Sequence, residues 1–362
     1  MKIGGRNVVG IAALTMLLAI ATHSTRAQLP DSPLPPPRDR ETIPGVDVTY
    51  GDVMVTNGER VRLIVTRPVN TVGPLPVAFL VGWLSCDSVS WPNGPKFGFA
   101  HLMIQIARES GFMTVRMEKP GVGDSTGPPC ASLDFLQELS AYRAAFAALA
   151  RLPGVDPSRI FLVGMSNGAG FAPLVANGSS VKGYVFIGGW VKTWYEHMLE
   201  HERRRLALVG RAPGEINAAM GRFATFYELF LIERLTPGEV ILRHPELKRD
   251  WYDDKDGQYG RPAAFFQQLQ ALNLADAWSK VKVPVLVVQD EYDWVMSADD
   301  HTMVAELVEK NGAGLATLIF APKTSHTFEV LPDMRASYDG SGPYNADVGA
   351  RVVRWLRERA LH

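Results

Sequence analysis

An α/β architecture, a mostly parallel sheet with helices on both faces and a helical cap inserted between two core strands, follows from three features of the 362-residue sequence. After Pro74, short and nearly continuous apolar runs recur at 77–81 (VAFLV), 112–115 (FMTV), 160–163 (IFLV), 184–187 (YVFI), 283–288 (VPVLVV) and 317–320 (TLIF). Such runs suit strands buried on both faces, as parallel strands are. Helical spacing between the runs supplies the right-handed crossovers that parallel pairing requires. The alternation breaks once, between Gly189 and Lys280, where about ninety residues carry helical stretches and no strand-like run. An insertion of that size caps the strand ends, where open α/β sheets keep their ligand sites.

The elements before Pro74 differ. Met1-Lys2 and Arg6 precede an uncharged stretch of 14 residues, 8–21, and then Thr25-Arg26-Ala27. A basic start, a short apolar stretch and small residues before Gln28 make a secretory signal peptide cleaved near Ala27. The stretch is too short to span a bilayer, and no later apolar run is long enough. Residues 29–44 hold six prolines and read as an extended tether, so the folded domain spans 45–362 with its cap at about 190–280. Residues 46–56 and 60–67 alternate apolar and polar around Asn57-Gly58, a hairpin signal.

Helical spacing covers 101–110, 133–152, 169–175, 297–310 and 346–361 in the domain, and 193–208, 215–234 and 263–274 in the cap. Ser297 and Asp300 form a cap pair at a helix start. The cap holds 13 of the 34 aromatic residues, enough for its own small core and for an apolar lining drawn from Trp190, Trp194, Phe223, Phe226, Tyr227, Phe230, Trp251, Phe265 or Phe266.

Composition narrows the function. Removing residues 1–27 leaves 34 Lys and Arg against 38 Asp and Glu, a net charge of −4, with no basic run, which excludes a nucleic-acid binder. Cys86 and Cys130 lie outside any paired C-x-x-C spacing, which argues against a zinc or iron–sulfur centre.

The chemistry-bearing segment is 160–170 (IFLVGMSNGAG): a buried strand, then Gly164-Met165-Ser166-Asn167-Gly168, then a helix start. G-x-S-x-G in that setting exposes a nucleophilic serine on a strained turn, and its glycines let neighbouring backbones pass in contact. A serine needs a base, and the base needs a carboxylate to fix its tautomer. Of eight histidines, His326 alone follows the final strand with a helix still to come. Asp290, Glu291 and Asp293 all follow the strand at 283–288; Asp293 is preferred, because three residues of turn let its side chain swing back, with Asp290 the alternative. His197 and His201, at i and i+4, lack a third ligand and read as a solvated helix face. Asn177-Gly178-Ser179 matches a glycosylation acceptor relevant only to a eukaryotic secretory pathway.

From Val46 to Leu361 the chain resembles the α/β-hydrolase superfamily of esterase, lipase and serine-aminopeptidase type. The resemblance rests on Gly164 to Gly168, on 289–295, on Ser325-His326-Thr327-Phe328, and on 119–125 (KPGVGDS), similar to the glycine-rich turn after the fourth core strand. In that family the acid commonly sits three residues after a glycine; Asp290 stands in the glycine's place here. Members often carry His-Gly after the third core strand, whereas this chain reads Val81-Gly82-Trp83-Leu84-Ser85-Cys86. The oxyanion donors are backbone N–H groups, so the resemblance implies Asn167 together with Trp83 or Leu84. Cys86 and Cys130 follow adjacent strands and are expected to form a disulfide that clamps the oxyanion loop. The implied activity is exported serine-hydrolase cleavage of a small carboxylic ester held in an apolar cap pocket, with Ser166, Asp293 and His326 as triad and no metal or cofactor. A peptidase of the same fold and a non-catalytic binding protein are the alternatives.

Overall fold

A computed structural model describes residues 32–37, 39–55 and 58–361; the expected leader, its cleavage site and Asn57 of the hairpin turn lie outside them. In chain order the sheet strands begin with β1 (Val46–Met54) and β2 (Arg60–Pro68), which pair antiparallel from Val46↔Pro68 to Met54↔Arg60. They are followed by β3 (Leu75–Val81), α1 (Gly98–Glu109), β4 (Met113–Met117), α2 (Phe135–Ala148), β5 (Val155–Met165), α3 (Asn167–Ala176) and β6 (Gly183–Ile187). The inserted segment holds α4 (Trp194–Leu208), α5 (Pro213–Tyr227), a π-helical turn (Glu228–Ile232), α6 (Pro237–Arg243), a two-residue-per-strand hairpin β7 (Gly257–Gln258) and β8 (Arg261–Pro262), α7 (Ala263–Gln270) and α8 (Leu274–Ser279). The chain then closes with β9 (Val285–Tyr292), α9 (Ala298–Glu309), β10 (Ala316–Ser325), α10 (Ala336–Asp339) and α11 (Ala346–Leu361).

The eight-stranded sheet runs β1-β2-β4-β3-β5-β6-β9-β10, antiparallel at β1/β2 and β2/β4 and parallel elsewhere. The period of two in each central strand divides the apolar runs between two cores. Val77, Phe79, Ile160, Leu162, Tyr184, Phe186, Val285 and Val287 face α2, α3, α8 and α9, a core continuous with that of the cap. Ala78, Leu80, Phe161, Val163, Val185, Ile187, Leu286 and Val288 face α1 and α11. Because β6 and β9 are hydrogen-bonded neighbours, the residues between them leave and re-enter the sheet at one place and roof over the strand ends.

Three expectations are corrected. The 317–320 run lies in β10 at the sheet edge, where Leu318 and Phe320 are about half exposed, so it is covered on one face only. The cap is not purely helical: the β7–β8 turn places Tyr259 at φ 48° and Gly260 at φ 70°, the positive pair that a tight two-residue hairpin requires. Ser297 does cap α9, accepting from the Asp299 N–H, but Asp300 turns away to accept from the N–H groups of Val191 (2.9 Å) and Lys192 (3.2 Å) at the start of the cap.

The proline-rich segment is also more than a spacer. Leu34, Glu41 and Ile43 are buried against the domain. Glu41 pairs with the Arg116 guanidinium at 2.8 Å, both side chains 1% exposed, and accepts from the Trp91 N–H at 2.8 Å. Arg116 also lies over the Trp91 ring, 4.3 Å from its centre. Among the described residues no helix is long and apolar enough to cross a membrane.

Removing one partner of a buried ion pair strands the other charge. Glu41→Ala is therefore expected to destabilise the fold by about 3–5 kcal/mol, read by urea unfolding.

Candidate active site

β5 ends at Met165 and α3 starts at Asn167, leaving Ser166 alone in the connection at φ 55° and ψ −128°. A residue with a side chain persists there only if its surroundings enforce it, at a cost of about 1–3 kcal/mol. The enforcement comes from close backbone packing. A Cβ on Gly164 would fall 2.6 Å from the Ala169 Cα, and one on Gly168 would fall 2.2 Å from the carbonyl oxygens of both Val81 and Gly82. The G-x-S-x-G glycines thus press strand, helix and the end of β3 together.

β10 and β9 lose register between Ala321 and Ser325, and the loop that follows brings His326 to Ser166. His326 Nε2 lies 2.9 Å from Ser166 Oγ, and His326 Nδ1 lies 2.8 Å from Asp293 Oδ2. A carboxylate only accepts, so Nδ1 carries the proton and Nε2 presents a lone pair to the serine hydroxyl. Asp293 reaches His326 because the chain reverses after β9, with the Asp293 N–H donating to the Asp290 carbonyl at 3.3 Å. Its other oxygen accepts from the N–H groups of Val295 and Met296, each at 2.8 Å. Burial acts to raise the Asp293 pKa, but the charge and hydrogen bond of His326 and the Met296 N–H outweigh it and hold the carboxyl below its ordinary range.

Asp290, the alternative acid, does not meet His326. It is buried with neither carboxylate oxygen hydrogen-bonded, and burial, reinforced by the Asp293 charge, pushes its pKa well up. His301, buried on α9, uses Nδ1 on the Ser297 carbonyl at 2.8 Å and packs edge-on against Phe186.

The N–H groups of Asn167, Trp83 and Leu84 donate to no backbone acceptor among the described residues. Asn167 opens α3, so the positive end of that helix faces the same space. Its side-chain oxygen accepts from Trp190 Nε1 at 2.9 Å, which pins the residue to the cap. The Trp83 ring packs against Phe97 and Phe99. Cys86 and Cys130 form a disulfide with Cα atoms 5.8 Å apart, bridging 44 residues. Closing a loop of that length removes about 4 kcal/mol of chain entropy from the unfolded state.

Ser166, Asn167 and His326 open into a cavity of about 560 Å³ between the sheet and the cap, a common size for a small-molecule site. Trp83, Phe97 and Phe99 line it from below, and Trp194, Tyr252 and Tyr259 from the cap. Trp294 and Tyr338, from loops outside the cap, complete it. Of the cap aromatics expected as lining, only Trp194 reaches the cavity. The others, such as Phe223, Phe226, Phe230 and Phe265, are consumed in the cap's own core.

His197 and His201 overturn their expected role. Instead of facing solvent, both are buried in the cavity wall, with His201 packed on Trp294 (4.9 Å) and His197 on Trp194 (4.7 Å). Burial, with Arg204 nearby, pushes the His201 pKa down to about 3, and burial, again with Arg204 near, takes His197 well down, so both are neutral. The sequence hides this because the face of α4 that looks polar is covered by loops distant in the chain.

Asp290 carries a pH signature. The unfolded chain releases its proton near pH 4, while the folded protein keeps it, so the residue's contribution is intact below about pH 4 and is lost as pH rises toward its raised folded value. Asp290→Asn is expected to match the wild-type Tm near pH 4, exceed it at pH 7 and leave the Asp293–His326 pair undisturbed, measured by thermal unfolding across that range.

The fold is shared with known proteins. The family model described as "Alpha/beta hydrolase family" matches residues 77–336. Among solved structures, the chain is similar to Est1E from Butyrivibrio proteoclasticus (15% identity, 87% of this chain and 99% of that one, TM-score 0.54). It is also similar to carboxyl esterase 2 from the mycorrhizal fungus Tuber melanosporum (18% identity, 90% and 92%, TM-score 0.53) and to the Pyrococcus furiosus esterase Pf2001 (11% identity, 90% and 97%, TM-score 0.53). No curated protein matches the chain in sequence. With the match spanning the sheet from β3 through β10, the Gly164–Gly168 turn and the segments that carry Asp293 and His326, the chain belongs to the alpha/beta hydrolase family.

Proposed function

We propose that this protein is an exported serine hydrolase that cleaves carboxylic esters through an acyl-enzyme on Ser166. The observation that carries the reading is the unbroken hydrogen-bonded line from Ser166 Oγ through His326 to Asp293 at the floor of an aromatic cavity. In this reading His326 Nε2 takes the serine proton as Oγ attacks the ester carbonyl, and Asp293 stabilises the imidazolium that forms. The carbonyl oxygen, now negative, is received by the N–H of Asn167 and that of Trp83 or Leu84. The imidazolium returns its proton to the leaving alcohol. Water then enters by the reverse sequence, His326 taking its proton, and releases the acid.

The aromatic walls favour an ester with a bulky apolar or aromatic part. A peptidase that grips a substrate amine needs a free carboxylate in the cap. The acidic residue on the cavity wall is Asp87, engaged by the Ser85 hydroxyl at 2.6 Å, while Glu202 sits behind the wall and is paired with Arg205 at 2.7 Å. Export is supported by the leader-like residues 1–27 and by the Cys86–Cys130 disulfide, which persists in oxidising compartments.

A fluorophosphonate probe is expected to label Ser166 and to leave Ser166→Ala unmodified. That variant and His326→Ala lose turnover without loss of fold, and Asp293→Asn lowers kcat by about 10⁴-fold. An aryl ester is expected to be turned over in preference to an aminoacyl amide. Absence of labelling in the wild type would favour a binding protein instead.

A further inference from the structure

In the loop after β3, which in the serine-hydrolase reading supplies the second oxyanion donor, Ser88 bonds the backbone of Ser90, but among the described residues no side chain of the loop itself holds the carbonyls of residues 83–85. Its anchoring comes from elsewhere. Lys119, just past β4, sends its ammonium into the loop, where it donates to the carbonyl oxygens of Trp83 (2.6 Å), Ser85 (2.9 Å) and Leu84 (3.3 Å). The same ammonium pairs with Glu138 of α2 at 3.1 Å, and the two side chains are 6% and 0% exposed. One turn along α2, the Tyr142 oxygen accepts from the Gly82 N–H at 3.1 Å, securing the entry to the loop.

Glu138 does not answer Lys119 alone. Its other oxygen meets the Arg261 guanidinium at 2.5 Å, also with both side chains fully buried, and Arg261 belongs to β8 in the cap. Arg261 lies over Phe265 at 4.2 Å and donates to the disulfide sulfurs of Cys130 (2.9 Å) and Cys86 (3.3 Å). Two buried cations and one buried carboxylate therefore join the oxyanion loop, α2, the disulfide and the cap.

The consequence for the donors follows from peptide geometry. In a planar trans peptide the carbonyl of one residue and the N–H of the next point in opposite directions. Drawing the Trp83 carbonyl onto Lys119 turns the Leu84 N–H away from the ammonium. Lys119 is not on the cavity wall, whereas Trp83, Leu84 and Ser85 are. We propose that Lys119 is a positioning residue for the oxyanion hole, aiming the Trp83–Leu84 backbone through its three carbonyl contacts, with Glu138 and Arg261 tying that aim to the seating of the cap. Lys119 touches neither substrate nor the reacting atoms; it acts through the loop. This inference rests on the serine-hydrolase reading.

The test uses Lys119→Met, which keeps the length of the side chain and removes its donors, and Glu138→Gln, which keeps the shape of its anchor. Donors to a developing oxyanion act on the transition state, and losing one outright costs about 10²–10³ in kcat. A misaimed but present donor is expected to cost about 10- to 100-fold in kcat for Lys119→Met, with KM within about twofold of wild type. Glu138→Gln is expected to show a smaller loss of the same kind. Affinity for an aryl trifluoromethyl ketone is expected to fall in parallel with kcat/KM. That inhibitor adds Ser166 Oγ to its carbonyl carbon, passes the serine proton to His326 and leaves its oxygen as an oxyanion in the hole.

If Lys119→Met unfolds cooperatively at a lower temperature yet keeps wild-type kcat and ketone affinity, the residue is structural and the proposal is overturned. Should Lys119→Met not fold, Glu138→Gln decides on the same readouts. Wild-type protein that neither labels with fluorophosphonate nor hydrolyses esters sinks the hydrolase reading; wild-type turnover with unchanged kcat in the variants sinks this inference alone.

Discussion

The site depends on how closely two backbones pass at Gly168. With 2.2 Å between an added Cβ and the carbonyls of Val81 and Gly82, no residue but glycine fits, and the loop after β3 is held in contact with the first turn of α3. That contact puts Asn167 and the Trp83–Leu84 segment around one point beside Ser166. It also helps to explain how Ser166 holds a positive φ, since the strand before it and the helix after it are both immobilised by packing.

Around that contact, buried charge does work that apolar packing cannot. Apolar side chains fill space without fixing the direction of a peptide, whereas an ammonium among three carbonyl oxygens does. The Lys119–Glu138–Arg261 chain and the disulfide beside it span segments more than a hundred residues apart, so the loop, α2 and the cap share one anchored network. Glu41 and Arg116 do the same close by, at the end of β4, fastening the segment before β1 to that strand and to the far part of the same loop. Buried charges of this kind cost desolvation and are tolerated because each is answered by a partner of opposite charge, and Lys119, Arg116 and Glu41 by backbone carbonyls or N–H groups as well.

The cavity shows a division of labour within the cap. Phe223, Phe226, Phe230, Phe265 and Phe266 close the cap's own core, and this leaves Trp194, Tyr252 and Tyr259, with the neutral histidines 197 and 201, to face the cavity that holds Ser166 and His326. A small domain layer must bury much of its apolar surface to be stable, so its most hydrophobic residues are the least available for binding. The amphipathic ones, with a ring to pack and an N–H or O–H to present, form the wall.

Local pattern was enough for everything set by neighbouring residues. The apolar runs of the central strands, the hairpin, the helices flanking the sheet, and Ser166 between its two glycines were legible because strand period, turn chemistry and close backbone approach are encoded within a few positions. His326 was legible from its place after the last strand. Tertiary structure decided what depends on partners far along the chain. Asp293 and Asp290 share one turn, and only the course of the chain reversal points the first at His326 and leaves the second buried without a hydrogen bond. His197 and His201 look like a solvated face until Trp190 and Trp194 pack on the first and Trp294 and Tyr259 on the second. Glu41 reads as part of a tether until Arg116, 75 residues on, claims it. The 317–320 run reads as a central strand until the strand order sets it at the edge, because a sequence states the period of a strand but not its neighbours.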